Sequence, residues 1–289
     1  GKPLPYEMDG GKSCGGGRAA TEGRPYGGFR TSYGSGGTGV VSWLRQGTGA
    51  PYTKKRSIHI TEKEGADMVR FEHGGDTYGC PPDLLDCSIS LNPMGAPKPV
   101  LEGARRAVLD CARYPDPACH GLRRAIARRD GVEEEAILCG NGASDLIYRL
   151  ALALKPRQAL LLAPTFSEYR RALEGVGCQI REHRLEERTG FLPGEDLLEV
   201  IVPRVDLVFL CDPNNPTGRL MDGGLLGRVL SRCREAGALL AVDQCFLELT
   251  AGDPRRLTEE LSGGGLLLLR ALTKSYALAG LRLGYALCG

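Results

Sequence analysis

The stretch Leu272-Thr273-Lys274-Ser275-Tyr276-Ala277-Leu278-Ala279-Gly280-Leu281-Arg282-Leu283-Gly284-Tyr285 decides how the chain is read. Just upstream stands the apolar run Leu266-Leu267-Leu268-Leu269, preceded by Gly263-Gly264-Gly265. This pattern predicts a buried strand that emerges into a loop. A lysine at the mouth of a buried strand is costly unless it has a task or a partner. An amine in such a place can have a lowered pKa and can form a Schiff base. Arg282 adds a planar fork suited to a phosphate. The two residues suit a phosphorylated aldehyde cofactor, pyridoxal phosphate (PLP). They suit a surface lysine and a structural arginine equally well, and the rest of the chain has to decide.

Outward from that stretch, short apolar runs alternate with amphipathic ones. Strands are expected at 136–139, 159–163, 178–183, 205–211, 238–242, 266–269 and 283–287. Helices are expected at 100–111, 119–129, 145–154, 166–175, 195–201 and 221–236, the last ended by Gly237. Such alternation implies an α/β fold with a mostly parallel sheet covered on both faces. Functional groups then belong at the strand-to-helix loops. Gly140-Asn141-Gly142-Ala143-Ser144 follows one strand and opens a helix. Its N–H groups make an anion site, although an ordinary turn with Ser144 as N-cap fits as well. Pro164-Thr165-Phe166 presents an aromatic ring after another strand, and Asp212-Pro213-Asn214-Asn215-Pro216-Thr217-Gly218 follows a third. Asp243 ends a fourth, where a buried carboxylate calls for a cationic partner. A protonated pyridine nitrogen would serve.

The motifs N-N-P-T-G, Asp243, T-K-S-Y-A-L-A-G and R-L-G-Y stand in one order along the chain. With them come His73-Gly74-Gly75, Ser90-Leu91-Asn92-Pro93-Met94-Gly95, Tyr114-Pro115-Asp116-Pro117 and Ala163-Pro164-Thr165-Phe166-Ser167-Glu168-Tyr169. On these residues the chain from about Met68 to Gly289 resembles the fold-type I PLP enzymes of the aspartate aminotransferase superfamily. Within it the chain is similar to the histidinol-phosphate aminotransferase branch, and more so to the L-threonine-O-3-phosphate decarboxylases of cobalamin biosynthesis.

The resemblance implies roles, residue by residue. Lys274 forms the Schiff base with PLP and then moves protons. Asp243 pairs with the pyridine N–H, Asn215 hydrogen-bonds the ring's phenolic oxygen, and Phe166 stacks on the ring. The Gly142-Ala143-Ser144 turn, Thr273 and Arg282 hold the phosphate. Tyr114 reaches the phosphate of a neighbouring subunit, so a homodimer is implied. Asn92 is placed to meet the substrate carboxylate. His73 is a candidate for the substrate phosphate, or a loop histidine held by turn hydrogen bonds. The implied reaction is decarboxylation of L-threonine O-3-phosphate to (R)-1-aminopropan-2-yl phosphate. Histidinol-phosphate aminotransfer is the alternative, and a PLP-binding remnant without turnover is the third reading.

Some positions depart from the family pattern. Phe246 stands where many aminotransferases carry a tyrosine, as in the decarboxylase branch. Gln244-Cys245 replaces the commoner Glu-Ala, and Ala271 replaces a phosphate-binding Ser or Thr. The family continues beyond the Arg282 strand into a small C-terminal domain that grips the substrate carboxylate. The resemblance therefore implies that this domain is missing after Gly289.

Composition bounds these readings. The 289 residues are 42% hydrophobic and 25% charged, as in ordinary globular proteins. A net charge of +2 gives no reason to expect nucleic acid as a partner. No apolar run is long enough to span a bilayer, and no signal-peptide pattern opens the chain. The 11 cysteines include no C-x-x-C pair, so no metal site is expected. Free thiols in a reducing cytoplasm are expected instead. Residues 1–67 are glycine-rich, and the only Leu, Ile or Val among the first fifty are Leu4, Val40, Val41 and Leu44. Such a segment buries too little to offset its ordering entropy, so a disordered or non-native extension is expected, with the native start at Met68. Residues 68–100 are expected to form an N-terminal arm and 101–289 the PLP-binding large domain.

Overall fold

The computed structural model describes Pro81, residues 88–253 and residues 257–289, and the backbone of three strands before them. The chain divides into two units, Gly1–Arg70 and Phe71–Gly289. In the first, β1 (Arg30–Tyr33), β2 (Gly39–Trp43) and β3 (Arg56–His59) form an antiparallel sheet in the order β1-β2-β3. No element is expected there from the residues, and the rest of residues 1–67 lies outside the described residues.

The second unit opens with helices α1 (Lys98–Val108) and α2 (His120–Asp130). Then β4 (Ile137–Gly140) leads into α3 (Ala143–Leu154), and β5 (Gln158–Ala163) into α4 (Ser167–Glu174). Next come β6 (Gln179–Arg184), α5 (Asp196–Val200), β7 (Leu207–Cys211) and α6 (Gly223–Ala236). The unit closes with β8 (Leu239–Asp243), β9 (Leu266–Ala271), the single turn α7 (Leu272–Ser275) and β10 (Gly284–Cys288). Every expected strand and helix of this unit is present, with ends moved by one to three residues. Local chemistry sets several of those ends. The Asp222 carboxylate accepts the Leu225 N–H at 2.9 Å and caps α6, and Gly237, at φ +72°, stops it.

The seven strands lie in the order β4-β10-β9-β8-β7-β5-β6. The pairs β5/β6, β5/β7, β7/β8 and β8/β9 are parallel. β10 alone runs the other way, antiparallel to both β4 and β9. Every residue of β7, Leu-Val-Phe-Leu-Cys, is buried, as a strand covered on both faces requires. Its side chains alternate between two cores. Val208 and Leu210 join Leu226, Val229 and Leu230 of α6 on one face. Leu207, Phe209 and Cys211 join Ile147 of α3 and Tyr169 and Leu173 of α4 on the other. The same alternation along β8 puts Ala241 on the α3/α4 face, and with it Asp243. Among the described residues no helix is long and apolar enough to cross a membrane.

Candidate active site

The parallel strands β5, β7, β8 and β9 end along one edge of the sheet, and the site lies there. Asp243 is the last residue of β8 and is 4% exposed. The Tyr169 hydroxyl donates to its Oδ2 at 2.8 Å, and the Cys245 N–H donates to its Oδ1 at 2.9 Å. Burial pushes the carboxyl above its ordinary pKa, and these donors and Lys274 oppose that rise. Tyr169 is buried on α4, stacked on Phe209 with ring centroids 4.2 Å apart. Phe166 meets it edge to face at 5.5 Å. Burial, and then the neighbouring Asp243 charge, drive the Tyr169 pKa well upward, so this phenol keeps its proton and acts as donor.

Lys274 stands on α7, directly after the buried strand β9, as the sequence pattern required. Partial burial lowers its pKa below the ordinary lysine value, and the Arg282 charge lowers it further. Its Nζ lies 5.4 Å from the centre of the Phe246 ring.

The turn between β4 and α3 forms the opposite end. Gly142 caps α3 at φ +85°, and no side chain caps that helix. The Ser144 cap offered as an alternative from sequence is therefore not formed. A Cβ on Gly142 would lie 2.8 Å from Arg282 Nη2, so the guanidinium rests against the turn. A Cβ on Gly284 would lie 2.7 Å from the Gly142 carbonyl carbon and 2.9 Å from the Ala143 nitrogen. Glycine at 284 is what lets β10 approach this turn. Arg282 itself has φ +54°, and its Nη1 donates to the Ala279 carbonyl at 3.0 Å.

The loops after β5 and β7 are joined by a buried asparagine that sequence reasoning passed over. Asn214 Nδ2 donates to the Pro164 carbonyl and to Thr217 Oγ1, both at 3.0 Å. Thr165 Oγ1 donates to Asn214 Oδ1 at 2.9 Å. With Asn214 spent on the scaffold, Asn215 is left to line the site.

An open cavity of about 530 Å³ lies between these groups. Lys274, Thr273, Asp243, Asn215, Phe166, Ala143 and Ser144 all line it. Gly142 and Arg282 adjoin it through Ala143. Two expected residues stand apart. Asn92 bonds to the backbone of the Lys274 turn, and Tyr114 is fully exposed on the loop between α1 and α2. His73 lies outside the described residues. Phe246 lines the cavity too, at the position where the family pattern has a tyrosine, and three lining residues were not expected: Tyr169, Cys211 and Cys245. For Tyr169 a signal existed. Its place three residues after Phe166 puts both rings on one face of the helix expected at 166–175.

Residues 83–289 match the family described as aminotransferase class I and II. A threonine-phosphate decarboxylase of Salmonella typhimurium is 40% identical over 224 residues, which are 74% of this chain and 60% of that protein. A histidinol-phosphate aminotransferase of Moorella thermoacetica is 30% identical over 208 residues, 70% of this chain and 53% of that protein. Among solved structures, an L-threonine-O-3-phosphate decarboxylase from Porphyromonas gingivalis superposes with a TM-score of 0.61 at 27% identity. That match covers 70% of this chain and 59% of the other. A histidinol-phosphate aminotransferase from Clostridium acetobutylicum gives 0.64 at 29% identity, covering 71% and 60%. The chain thus spans about 60% of the length of the decarboxylases it matches. Its sheet order, its two-sided helical cover and this match together show that the chain belongs to the aminotransferase class I and II family and has the fold-type I α/β architecture.

Proposed function

We propose that this cavity binds PLP and that the chain carries the cofactor site of a cytoplasmic L-threonine-O-3-phosphate decarboxylase of cobalamin biosynthesis. One observation carries the reading. A partly buried lysine and a buried carboxylate line one wall of a cavity whose far end is a helix N-terminus backed by an arginine.

The residues present fit the cofactor. The cavity is lined by aromatic rings and by a few convergent polar groups, as small-ligand sites are. Asp243 is held by neutral donors and sits above its ordinary pKa, so it favours a cationic partner such as a pyridine N–H⁺. The Gly142–Ser144 turn, Thr273 and Arg282 would hold the phosphate, since N–H groups at a helix start and a guanidinium both suit an anion. Phe166 would cover the ring face, and Asn215 would meet the phenolic oxygen. Phe246 brings a ring without a hydroxyl, so Asn215 stands as the donor there.

Bound PLP supplies an electron sink for the charge left at the substrate Cα when a bond there breaks. The protein's part is orientation and proton handling. The carboxylate would leave as CO2 and Lys274 Nζ would return one proton to Cα, giving (R)-1-aminopropan-2-yl phosphate. A lysine whose pKa is lowered by burial suits this work, because more of its amine is unprotonated than in a free lysine at the same pH. His73 is proposed to face the phosphorylated amino-acid substrate. Tyr114, exposed in one copy, is proposed to serve the phosphate site of a second copy in a homodimer.

The second reading, a histidinol-phosphate-type aminotransferase, is supported by the similar superposition on that enzyme. There Lys274 would carry the proton away from Cα. The test is to incubate the chain with PLP and L-threonine O-3-phosphate and follow CO2. Histidinol phosphate with 2-oxoglutarate is then supplied and glutamate followed. CO2 release supports the decarboxylase, and glutamate without CO2 replaces it with the aminotransferase. PLP uptake that Lys274→Ala abolishes, without either product, leaves a binding protein alone.

A further inference from the structure

The segment ahead of α1 is fastened to the lysine turn at two points. The Asn92 backbone N–H donates to the Lys274 carbonyl at 3.0 Å. The Asn92 side-chain Nδ2 donates to the Ser275 carbonyl at 2.8 Å. The Met94 N–H donates to Asn92 Oδ1 at 3.0 Å, which identifies the oxygen end of the carboxamide. Both ends of this side chain are thus engaged within the protein. The neighbours are loosely held by comparison: Ile89 is 40% and Met94 88% exposed.

The turn that receives these bonds has little support of its own. α7 is only four residues long. The Ala277 N–H returns to the Lys274 carbonyl at 3.3 Å, and Ala277 then leaves the turn at φ +50°, a region costly for a residue with a Cβ. The peptide that carries the Lys274 side chain is therefore fixed in part from a segment about 180 residues away in sequence.

We propose that Asn92 is a positioning residue for Lys274: it clamps the Lys274–Ser275 peptide so that the amine is held toward the cavity. This role rests on reading Lys274 as the PLP lysine, and it differs from contact with the substrate carboxylate. A direct substrate ligand acts only when substrate is bound. A clamp acts in the empty protein, and its loss lets the turn open and water reach the amine.

Two variants of the full chain test the clamp. Asn92→Asp keeps the oxygen that accepts from Met94 but turns the donor to Ser275 into an acceptor. Asn92→Ala removes both. Hydrogen exchange is measured without PLP on peptides covering 272–278, with 239–243 in β8 as control. Both variants are expected to speed exchange in 272–278 by about tenfold, the order of change for one lost hydrogen bond, with the control unchanged. With PLP bound, the pH midpoint of its absorbance is expected to move upward in the absence of substrate. Unchanged exchange together with a raised KM alone would make Asn92 a substrate ligand and overturn the clamp. Equal acceleration in 239–243 would make it a support of the whole fold and overturn the clamp too. If the wild-type chain takes up no PLP, the proposed function fails, while exchange still decides whether Asn92 holds the turn.

Discussion

Tyr169 donates its phenolic proton to Asp243 across 2.8 Å in a setting where both side chains are buried. The bond joins helix α4 to the end of strand β8 and gives the carboxylate one of its two described donors. Tyr169→Phe keeps the ring and its stacking on Phe209 while removing that donor. The expected cost is about 1–3 kcal/mol in urea unfolding, the penalty for leaving a buried acceptor unmet. The sign with pH follows from Asp243, whose pKa is raised above its ordinary 3.8 in the folded protein. Its contribution to stability is full below pH 3.8 and is lost as pH rises through the folded value. The phenol stabilises the charged form, so the deficit of Tyr169→Phe grows as pH rises through that window. A deficit independent of pH would show that the hydroxyl acts through packing alone.

Lys274 has a folded pKa below the ordinary 10.5, from burial first and from the Arg282 charge as well. Its contribution to stability is full above pH 10.5 and is lost as pH falls through the folded value. Arg282→Gln removes the repulsion, so the amine should titrate at higher pH than in the parent chain. The pH dependence of chemical modification at Lys274, followed by peptide mapping without PLP, measures this. A midpoint that stays or falls contradicts the electrostatic account.

Gly284 is the point where β10 touches the turn before α3. Gly284→Ala sets a Cβ 2.7 Å from backbone that cannot move aside, and should cost about 1–3 kcal/mol. PLP affinity should fall with it, since the Gly142–Ser144 turn is displaced. Gly227, inside α6, has nothing within 4 Å of its would-be Cβ, and Gly227→Ala should stabilise by about 1 kcal/mol. Thermal melts of the two variants should therefore move in opposite directions.

On the other face of the sheet, Arg270 holds a buried polar knot. Its Nη1 lies 3.1 Å from Asp130 Oδ2, its Nε donates to Gln244 Oε1 at 3.1 Å, and its Nη2 donates to Thr258 Oγ1 at 2.9 Å. The Tyr285 hydroxyl donates to the same Asp130 oxygen at 2.8 Å. Arg270→Met leaves the buried Asp130 charge with only Arg129, whose Nε lies 3.7 Å from Oδ1, and should cost up to about 3–5 kcal/mol. Adding Asp130→Asn should recover part of that loss in denaturant melts. A double variant no more stable than Arg270→Met would mean that the loss comes from packing.

Most of this architecture was legible in the residues. The strands are runs of Leu, Val, Ile and Ala with glycine, proline or aspartate at their ends, and those signals are local. Of the residues expected to meet PLP, Ala143, Ser144, Phe166, Asn215, Asp243, Thr273 and Lys274 line one cavity, because each lies at or just after the end of a strand, whereas Tyr114 stands apart on a loop between helices. What stayed hidden depends on pairing across the sheet. Nothing local to Gly284-Tyr285-Ala286-Leu287 says that β10 runs antiparallel between β4 and β9. Nothing local to Arg270 signals the knot around it, since its partners Asp130, Gln244 and Thr258 come from three other segments of the chain. Asn214 and Asn215 are the same residue type side by side, and only the loop geometry turns one toward the scaffold and the other toward the cavity.

The place of β10 has a bearing on the order in which the chain folds. Strands β5 to β9 can pair with one another as soon as they emerge from the ribosome. β4 meets the sheet only through β10, which comes after the other six strands of this sheet in the chain. Until it arrives, the turn at Gly142 has no Arg282 beside it, and β9 presents an open edge to its surroundings. The cradle expected to take the phosphate is thus completed by a strand that follows all its other parts in the chain, so the nascent chain should acquire a cofactor site only once β10 has emerged.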